Sequence, residues 1–269
     1  MLFKAVIKPK QPYQTELKST TIYGAMCCAI ADMQEYGSKV LEELVFNNVD
    51  SLVVSNAYPS GYIVAPEFKN TSEDYIMETE SGEIVAFNSN KTVIEHCMIN
   101  RNNNNSIKHW RDEVDYSDSP LDIYIYSEVF TKEDIEKILR ITLLKGLGRR
   151  RSVGYGQFEL MELTEIDRIV SGSVELGKRD KKSNTYYMVI SDYIPDKDDS
   201  TNGVYSAKVV RGKTVAGDVK KPIYVINAGG CFIDAKRDKS IFTIGRVVHD
   251  ENTNTYTCGR AIAIRVSIE

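Results

Sequence analysis

The sequence lacks the features that mark several large classes of protein. It has five cysteines, an odd number: Cys27, Cys28, Cys97, Cys231 and Cys258. None of them forms a C-x-x-C pair, which argues against both a structural metal site and a disulfide framework. No apolar run approaches the roughly 20 residues that a membrane-spanning helix needs, and residues 1–9 are too short and too charged a stretch for a secretory signal. These absences favour a protein of the reducing cytoplasm that carries no metal or cofactor.

Net charge is also small, but the charged residues are unevenly distributed. The formal net charge of −4 argues against a free-standing nucleic-acid binder, because such proteins are usually basic. Four of the seven residues from Lys145 to Arg151 are nevertheless basic, a second basic group spans residues 178–182, and acidic residues gather at 192–199. A basic patch on an acidic chain predicts a protein that binds a polyanion at one face and a protein partner at another.

Residues 1–165 show the hydrophobic periodicities of a small α+β domain. Alternation predicts strands at residues 2–8, 53–54, 62–64, 121–126 and 157–162. Apolar residues spaced i, i+3, i+4 predict a first helix that is capped by Ser19, Thr20 or Thr21 and ends near Gly37, and a short helix follows at 38–46. A capping box of Thr131 and Asp134 starts another helix, which stops at Gly146. Its predicted buried face consists of Ile135, Ile138, Leu139, Thr142 and Leu143.

The resulting order, β-α-(α)-β-insertion-β-α-β, is that of the ferredoxin-like (RRM-like) fold. In that fold two helices cover one face of an antiparallel sheet, and we expect the opposite face to be free for RNA or a partner. Residues 67–119 are polar and contain an asparagine run at 102–105. We interpret them as a long, irregular insertion with one hairpin, formed by residues 75–77 and 83–87.

Residues 166–269 are predicted to form a separate, β-rich C-terminal domain. Strands are expected at residues 186–191, 204–210, 223–226, 231–233, 241–248 and 260–266. No stretch there has a convincing helical pattern. A degenerate second copy of the ferredoxin-like fold is one interpretation of this half.

The segment Leu143–Phe158 holds the strongest functional signal. Four glycines surround three consecutive arginines, so a flexible backbone with accessible amides lies beside dense positive charge. This combination predicts a polyanion site, while a solvated loop surface is the simpler alternative. A P-loop or a dinucleotide-binding fingerprint is excluded, because both need a strand before the glycines and a helix after them.

At this loop the chain resembles the RAMP superfamily of CRISPR proteins, whose hallmark is a glycine-rich loop between the second helix and the fourth strand of a ferredoxin-like domain. Four more blocks resemble a narrower family: residues 18–30 (K-S-T-T-I-Y-G-A-M-C-C-A-I), 55–62 (S-N-A-Y-P-S-G-Y), 96–101 (H-C-M-I-N-R) and 221–232 (K-P-I-Y-V-I-N-A-G-G-C-F). In this order they are similar to the fourth subunits of type III-A (Csm) effector complexes. Thr20, Cys28, Cys97 and Gly230–Cys231 depart from the usual residues.

The resemblance implies a non-catalytic subunit of an RNA-guided complex for antiviral defence. Such a subunit binds the 5′ tag of the CRISPR RNA, and it docks against the large polymerase-like subunit and the first copy of the backbone RAMP subunit. A hairpin thumb from the first domain kinks the RNA beside the tag. The insertion at 67–119 is where this chain would carry that thumb.

These arguments nominate twelve RNA-binding residues: Lys18, Ser19, His96, Arg101, Lys145, Gly148, Arg149, Arg150, Arg151, Ser152, Gly154 and Tyr155. The arginines would contact phosphates, Ser152 would add a hydroxyl contact and Tyr155 a stacking surface. A capping role for Ser19 and a core position for Tyr155 are the structural alternatives. Trp110, the sole tryptophan, is read as either an interface anchor or part of a small local cluster.

Two other functions remain open from the sequence. RAMP relatives that process precursor RNA use a histidine as general acid or base, which makes His96 and Arg101 candidates for a metal-independent endoribonuclease. Against this, His96 has no evident partner in the sequence. The equivalent subunit of a type III-B complex is the second alternative.

Overall fold

The computed structural model describes residues 1–14, 16–33, 41–47, 51–67, 75–87, 91–103, 105–115, 118–170, 186–200, 202–212, 219–233 and 241–266. Within these ranges the α-helices are α1 (Ser19–Asp32) and α2 (Lys132–Lys145). The strands up to residue 165 are β1 (Leu2–Pro9), β2 (Val53–Val54), β3 (Tyr58–Pro59), β4 (Tyr62–Val64), β5 (Tyr75–Glu78), β6 (Ile84–Ala86), β7 (Lys91–Ile99), β8 (Ser106–Asp115), β9 (Leu121–Tyr126) and β10 (Phe158–Glu165).

The strands after residue 165 are β11 (Tyr186–Val189), β12 (Gly203–Val204), β13 (Ala207–Val210), β14 (Ile223–Ile226), β15 (Cys231–Ile233), β16 (Ile241–Ile244), β17 (Val247–Asp250), β18 (Thr255–Cys258) and β19 (Ala261–Val266). A π-helical turn at Leu41–Phe46 and a 3-10 turn at Arg151–Val153 complete the regular elements of the described residues. The predicted α+β class is confirmed.

The first sheet has the strand order β10-β1-β9-β2, and every neighbouring pair in it is antiparallel. The short strand β3 also pairs with β9. Strands β1 and β9 lie where alternation predicts them. α1 and α2 pack on one face of this sheet, over a core that includes Phe3, Ile123 and Ile125.

Helix α2 agrees with the sequence in detail. The Thr131 hydroxyl accepts a hydrogen bond from the Asp134 N–H (3.3 Å), and the Asp134 carboxylate accepts one from the Thr131 N–H (3.0 Å). The predicted capping box is therefore confirmed. The five residues of the predicted apolar stripe are buried, and the helix ends at Gly146, whose φ is 79°.

Helix α1 differs at its start. The residue before the helix is Lys18, and its side chain makes no capping hydrogen bond. Ser19 is the first helical residue, so the prediction of a cap by Ser19, Thr20 or Thr21 is wrong. Ser19 is buried: its N–H donates to Asn56 Oδ1 (2.7 Å), and its hydroxyl accepts from the Asp192 N–H (3.2 Å). The predicted end at Gly37 lies outside the described residues.

The second face of the first sheet is covered, so the prediction that it is free is wrong. Successive side chains of a strand point to opposite faces, and Leu2 and Tyr124 therefore point away from the helices. They pack in one buried cluster with Met188, Ile190 and Ile264 of a second sheet. The Tyr58 hydroxyl, also in this layer, donates to the Ile190 carbonyl at 2.7 Å.

The second sheet has the strand order β12-β15-β11-β19-β16. β13–β14 and β17–β18 form two separate ribbons, and β18 contacts α1. The prediction of a single strand at 241–248 is wrong, because these residues form two strands, β16 and β17, which belong to different sheets. Gly245 causes the division: its φ is +86°, and a Cβ there would lie 2.3 Å from the Gly259 carbonyl oxygen. The predicted strand at 204–210 likewise divides into β12 and β13, and β18 was not predicted.

The insertion is more regular than its polar sequence suggests. The predicted hairpin at 75–87 is confirmed as β5–β6, which extend β4 into a three-stranded sheet. The rest was expected to be irregular, and that is wrong: β7 and β8 form a long antiparallel hairpin, and Asn102 and Asn103 lie in the turn between them. Most of its side chains are exposed on both faces, so it needs no alternation of apolar and polar residues.

No helix among the described residues is long and apolar enough to cross a bilayer. The same residues contain no group of three or more histidine, cysteine, aspartate or glutamate side chains arranged to bind a metal ion.

Candidate functional site

The segment from Gly146 to Gly156, which we call the glycine loop, connects α2 to β10 in a closed conformation. Its four glycines, Gly146, Gly148, Gly154 and Gly156, have φ values of 79°, 84°, 95° and 70°, which side chains with a Cβ rarely adopt. The Leu147 N–H donates to the Gly156 carbonyl (2.8 Å), and the Gly156 N–H donates to the Pro12 carbonyl (2.9 Å). One hydrogen bond therefore closes the loop, and the other attaches it to the segment that follows β1.

The three arginines of the loop do not have equal surroundings. Arg149 and Arg151 are exposed, as is Ser152. Arg150 is also exposed, with 38% of its side chain accessible, but it adopts a left-handed conformation, with φ 57°. Its guanidinium forms an ion pair with Asp112 on β8. A long side chain in this conformation costs about 1–3 kcal/mol and persists only where its surroundings enforce it.

Asp112 also contacts His96, and the result is a connected cluster of four side chains. His96 Nε2 lies 3.0 Å from Asp112 Oδ2 and 3.1 Å from the Tyr155 hydroxyl. The Asp112 side chain is only 9% exposed. We call Arg150, Asp112, His96 and Tyr155 the hairpin clasp, because two of its members belong to the glycine loop and two to the β7–β8 hairpin.

The hairpin is anchored a second time at its base. Tyr13 and Asp115 exchange backbone hydrogen bonds of 3.0 and 2.8 Å, and the Tyr13 ring packs on Phe158 with ring centroids 5.3 Å apart. Burial, with a smaller contribution from the Asp115 carboxylate, raises the pKa of Tyr13 to about 12. The base of the hairpin is thus a partly dry, ordered junction.

Aromatic stacking extends from the clasp along the hairpin. His96 and Trp110 are cross-strand neighbours whose rings stack, with centroids 5.1 Å apart and planes 10° apart. Lys108 Nζ lies 5.9 Å from the centroid of the Trp110 ring. Of the two interpretations of Trp110, these contacts favour a local cluster.

The remaining predicted residues lie apart from the clasp. Lys145 forms an exposed ion pair with Asp32, and Lys18 pairs with Glu16 (3.2 Å); exposed pairs of this kind contribute little to stability. Arg101 is exposed in the turn of the hairpin. Ser19 has both its N–H and its hydroxyl bonded inside the protein.

Asp112 is the residue that sequence reasoning missed. The inference that His96 has no partner is wrong, since Asp112 and Tyr155 both contact it. The sequence gives only a weak indication of this pairing. If residues 91–115 are interpreted as two strands joined by an asparagine-rich turn, His96 and Asp112 lie on the same face of adjacent strands.

A cleft of about 340 Å³ opens beside the clasp, between the glycine loop, the end of the segment after β1, and β7. Its lining residues are Gln11, Pro12, Ile94, Val153, Gly154, Tyr155 and Gln157.

No protein-family model and no curated protein sequence matches this chain. Solved structures do. A chain of the Csm3-Csm4 subcomplex of the type III-A CRISPR-Cas interference complex has a TM-score of 0.60 and 16% identity, over 98% of this chain and 99% of that one. A chain of the Csm1-Csm4 cassette in complex with AMPPNP has a TM-score of 0.58 and 17% identity, over 100% and 99%. A chain of the Csm1-Csm4 cassette in complex with one ATP has a TM-score of 0.57 and 15% identity, over 100% of this chain and 99% of that one. Over its whole length this chain therefore has the fold of a type III-A complex component, and the predicted resemblance is confirmed at the level of the fold.

Proposed function

We propose that this chain is a Csm4-like subunit of a cytoplasmic type III-A CRISPR effector complex, where it holds the 5′ tag of the CRISPR RNA for antiviral defence. The observation that carries the proposal is the whole-length fold similarity to chains of two different subcomplexes, Csm3-Csm4 and Csm1-Csm4. Csm4 is the component that these two assemblies share. The sequence blocks that resemble fourth subunits point to the same assignment.

The topology supports the assignment to a RAMP fold. The strand order β10-β1-β9-β2, with α1 after the first strand and α2 before the last, is the arrangement we interpret as ferredoxin-like. The glycine loop then lies between the second helix and the fourth strand, which is the position of the superfamily hallmark. We take residues 1–165 as this domain and residues 166–269 as the β-rich second domain.

The exposed part of the glycine loop is suited to a single-stranded RNA backbone. Arg149 and Arg151 present guanidinium groups, which pair with phosphate, and Ser152 offers a hydroxyl beside them. At Gly154 a Cβ would meet nothing within 4 Å, so the surface there is open to a ligand. Arg150, paired with Asp112, acts in this proposal through the hairpin rather than through phosphate.

The proposed role is positioning, without a catalytic step. The loop would fix the tag, and the β7–β8 hairpin, held at a set angle by the clasp, would serve as the thumb that bends the RNA beside it. The proposed protein partners are a Csm1-like large subunit and a Csm3-like backbone subunit.

Binding of a synthetic tag RNA, which is the repeat-derived 5′ end of the host CRISPR RNA, tests the proposal. We expect the full chain to bind this RNA and to co-purify with both partners. The Arg149→Ala/Arg151→Ala variant should bind more weakly, whereas the control variant Lys137→Ala/Arg140→Ala, which removes two exposed basic side chains from α2, should bind normally. Equal binding by both variants, or no association with either partner, would count against the proposal.

A second candidate function has one specific observation in its favour. His96 contacts a buried carboxylate and a tyrosine hydroxyl, and a histidine oriented by a carboxylate can act as a general acid or base in RNA cleavage. Incubation with repeat RNA under metal chelation separates the two functions. Specific cleavage that His96→Ala abolishes would establish an endoribonuclease, and intact RNA would leave the positioning role.

A further inference from the structure

The open cleft beside the hairpin clasp is large enough for a small planar ligand. Its volume is about 340 Å³, within the range of about 300–1,000 Å³ that is usual for small-ligand sites. It is bounded by three segments that are distant in sequence, with Gln11, Ile94 and Gln157 as one lining residue from each. The backbone bond from Lys10 N–H to the Gln157 carbonyl (2.8 Å) holds two of these walls together.

The lining suits a flat, uncharged group with polar edges. Pro12, Ile94 and Val153 offer apolar surface, and Tyr155, which is only 9% exposed, lines the cleft as a largely buried ring. The Gln11 and Gln157 amides can each donate and accept, and both residues are exposed. All seven lining residues are uncharged, so a charged ligand finds no counter-ion inside the cleft.

A nucleobase has these properties. Unstacked RNA bases are recognised by contacts on their faces and by hydrogen bonds on their edges, and a glutamine side chain can bond a base edge in a bidentate manner. The phosphates of the same nucleotide would remain outside, where Arg149 and Arg151 are exposed on the adjoining part of the glycine loop.

The hairpin clasp fixes the shape of this cleft. Tyr155 belongs to both, and its hydroxyl lies 3.1 Å from His96 Nε2. Ile94 precedes His96 by two residues on β7, so the two side chains lie on the same face of the strand. A change that releases His96 would therefore move the hairpin wall of the cleft.

We propose that this cleft binds one unstacked base of the single-stranded RNA that the glycine loop holds. The proposal rests on the proposed function as an RNA-binding subunit and adds to it a site that reads, or at least encloses, a single nucleotide. Gln11 and Gln157 contact the edge of the base, and Pro12, Ile94 and Val153 contact its faces.

The test combines removal of single bases with removal of the two amides. Tag RNAs that carry one abasic position each are titrated against the wild-type chain, Gln11→Ala/Gln157→Ala, and the control Asn202→Ala/Asn252→Ala, which removes two exposed amides from the C-terminal half. We expect one position at which base loss weakens wild-type binding about tenfold, the scale of one base contact. At that position alone, base loss should cost the glutamine variant clearly less than the wild type, since the contacts to the base edge are already gone and only the face contacts remain to be lost.

The outcomes separate this proposal from the function on which it rests. If the chain binds no tag RNA, the proposed function fails and the cleft proposal fails with it. A second outcome overturns the cleft proposal alone. In it, the chain binds tag RNA and Arg149→Ala/Arg151→Ala weakens that binding, but base loss has the same effect in the glutamine variant as in the wild type at every position. Asp112→Asn provides a second readout: it should reduce the effect of base loss at the same position, because the hairpin wall is released.

Discussion

Gly156 and Gly154 allow a matched test of how the glycine loop is closed. Both have positive φ, +70° and +95°, yet their surroundings differ. A Cβ on Gly156 would lie 2.0 Å from the Leu147 carbonyl oxygen, far inside the contact distance, whereas a Cβ on Gly154 would meet nothing within 4 Å. The two alanine variants therefore share the conformational cost and differ in the steric one.

The expected costs follow from this difference. Forcing a residue with a Cβ into the left-handed region costs about 1–2 kcal/mol, and this is all that we expect for Gly154→Ala. In Gly156→Ala the clash must also separate the loop walls, which breaks the Leu147–Gly156 and Gly156–Pro12 backbone hydrogen bonds. Each buried group left unpaired costs about 1–3 kcal/mol, so this variant should lose about 2 kcal/mol more than the other.

Thermal unfolding of the full chain gives the measurement. In a chain of this size 1 kcal/mol lowers Tm by about 2–4 °C, so Gly156→Ala should melt about 4–8 °C below Gly154→Ala. Tag RNA binding should be weakened in the same order. Equal Tm values for the two variants would refute the reasoning, because the close approach of Gly156 to Leu147 would then have no energetic consequence.

Three more perturbations examine other parts of the site. Arg149→Ala/Arg151→Ala should make the negative slope of log affinity against log salt concentration shallower by about 1.4, since each phosphate contact on a single strand contributes about −0.7; an unchanged slope would mean that neither side chain contacts phosphate. Asp112→Ala should destabilise the fold by about 2 kcal/mol and expose the β7–β8 hairpin to limited proteolysis, and wild-type resistance would contradict the clasp. Because burial and Asp115 raise the pKa of Tyr13 from 10.0 to about 12, its neutral form contributes stability below pH 10 that is lost as the pH rises toward 12. Tyr13→Phe should remove that part of the alkaline destabilisation, as measured by unfolding across this range.

Features that depend on neighbouring residues were predictable from the sequence. The capping box, the buried stripe and the end of α2 all depend on residues within a few positions of one another, and all three are confirmed. The exposed β7–β8 hairpin was missed because the alternation rule detects a strand with one buried face, and this hairpin has little buried surface. Its only local signal was the asparagine turn.

Features that depend on contacts between distant residues were not predictable. The expectation of a free sheet face failed because the second sheet, far along the chain, supplies the side chains that cover it. The segment with the arginine run lies between a helix and a strand, as predicted, but composition could not show that Arg150 has a different conformation and a different partner from Arg149 and Arg151. That difference arises from its left-handed backbone and from Asp112, which lies 38 positions away.

The hairpin clasp makes the β7–β8 hairpin and the glycine loop one structural unit. If the hairpin alone were exchanged for that of another protein, the new hairpin would lack fitting partners in Arg150 and Tyr155. Arg150 would then keep its left-handed conformation without the ion pair to Asp112 that stabilises it. A chimaera that exchanges residues 91–115 must therefore exchange Arg150 and Tyr155 with them. The two segments depend on each other in this chain, although residues 116–145, which include all of β9 and α2, separate them in sequence.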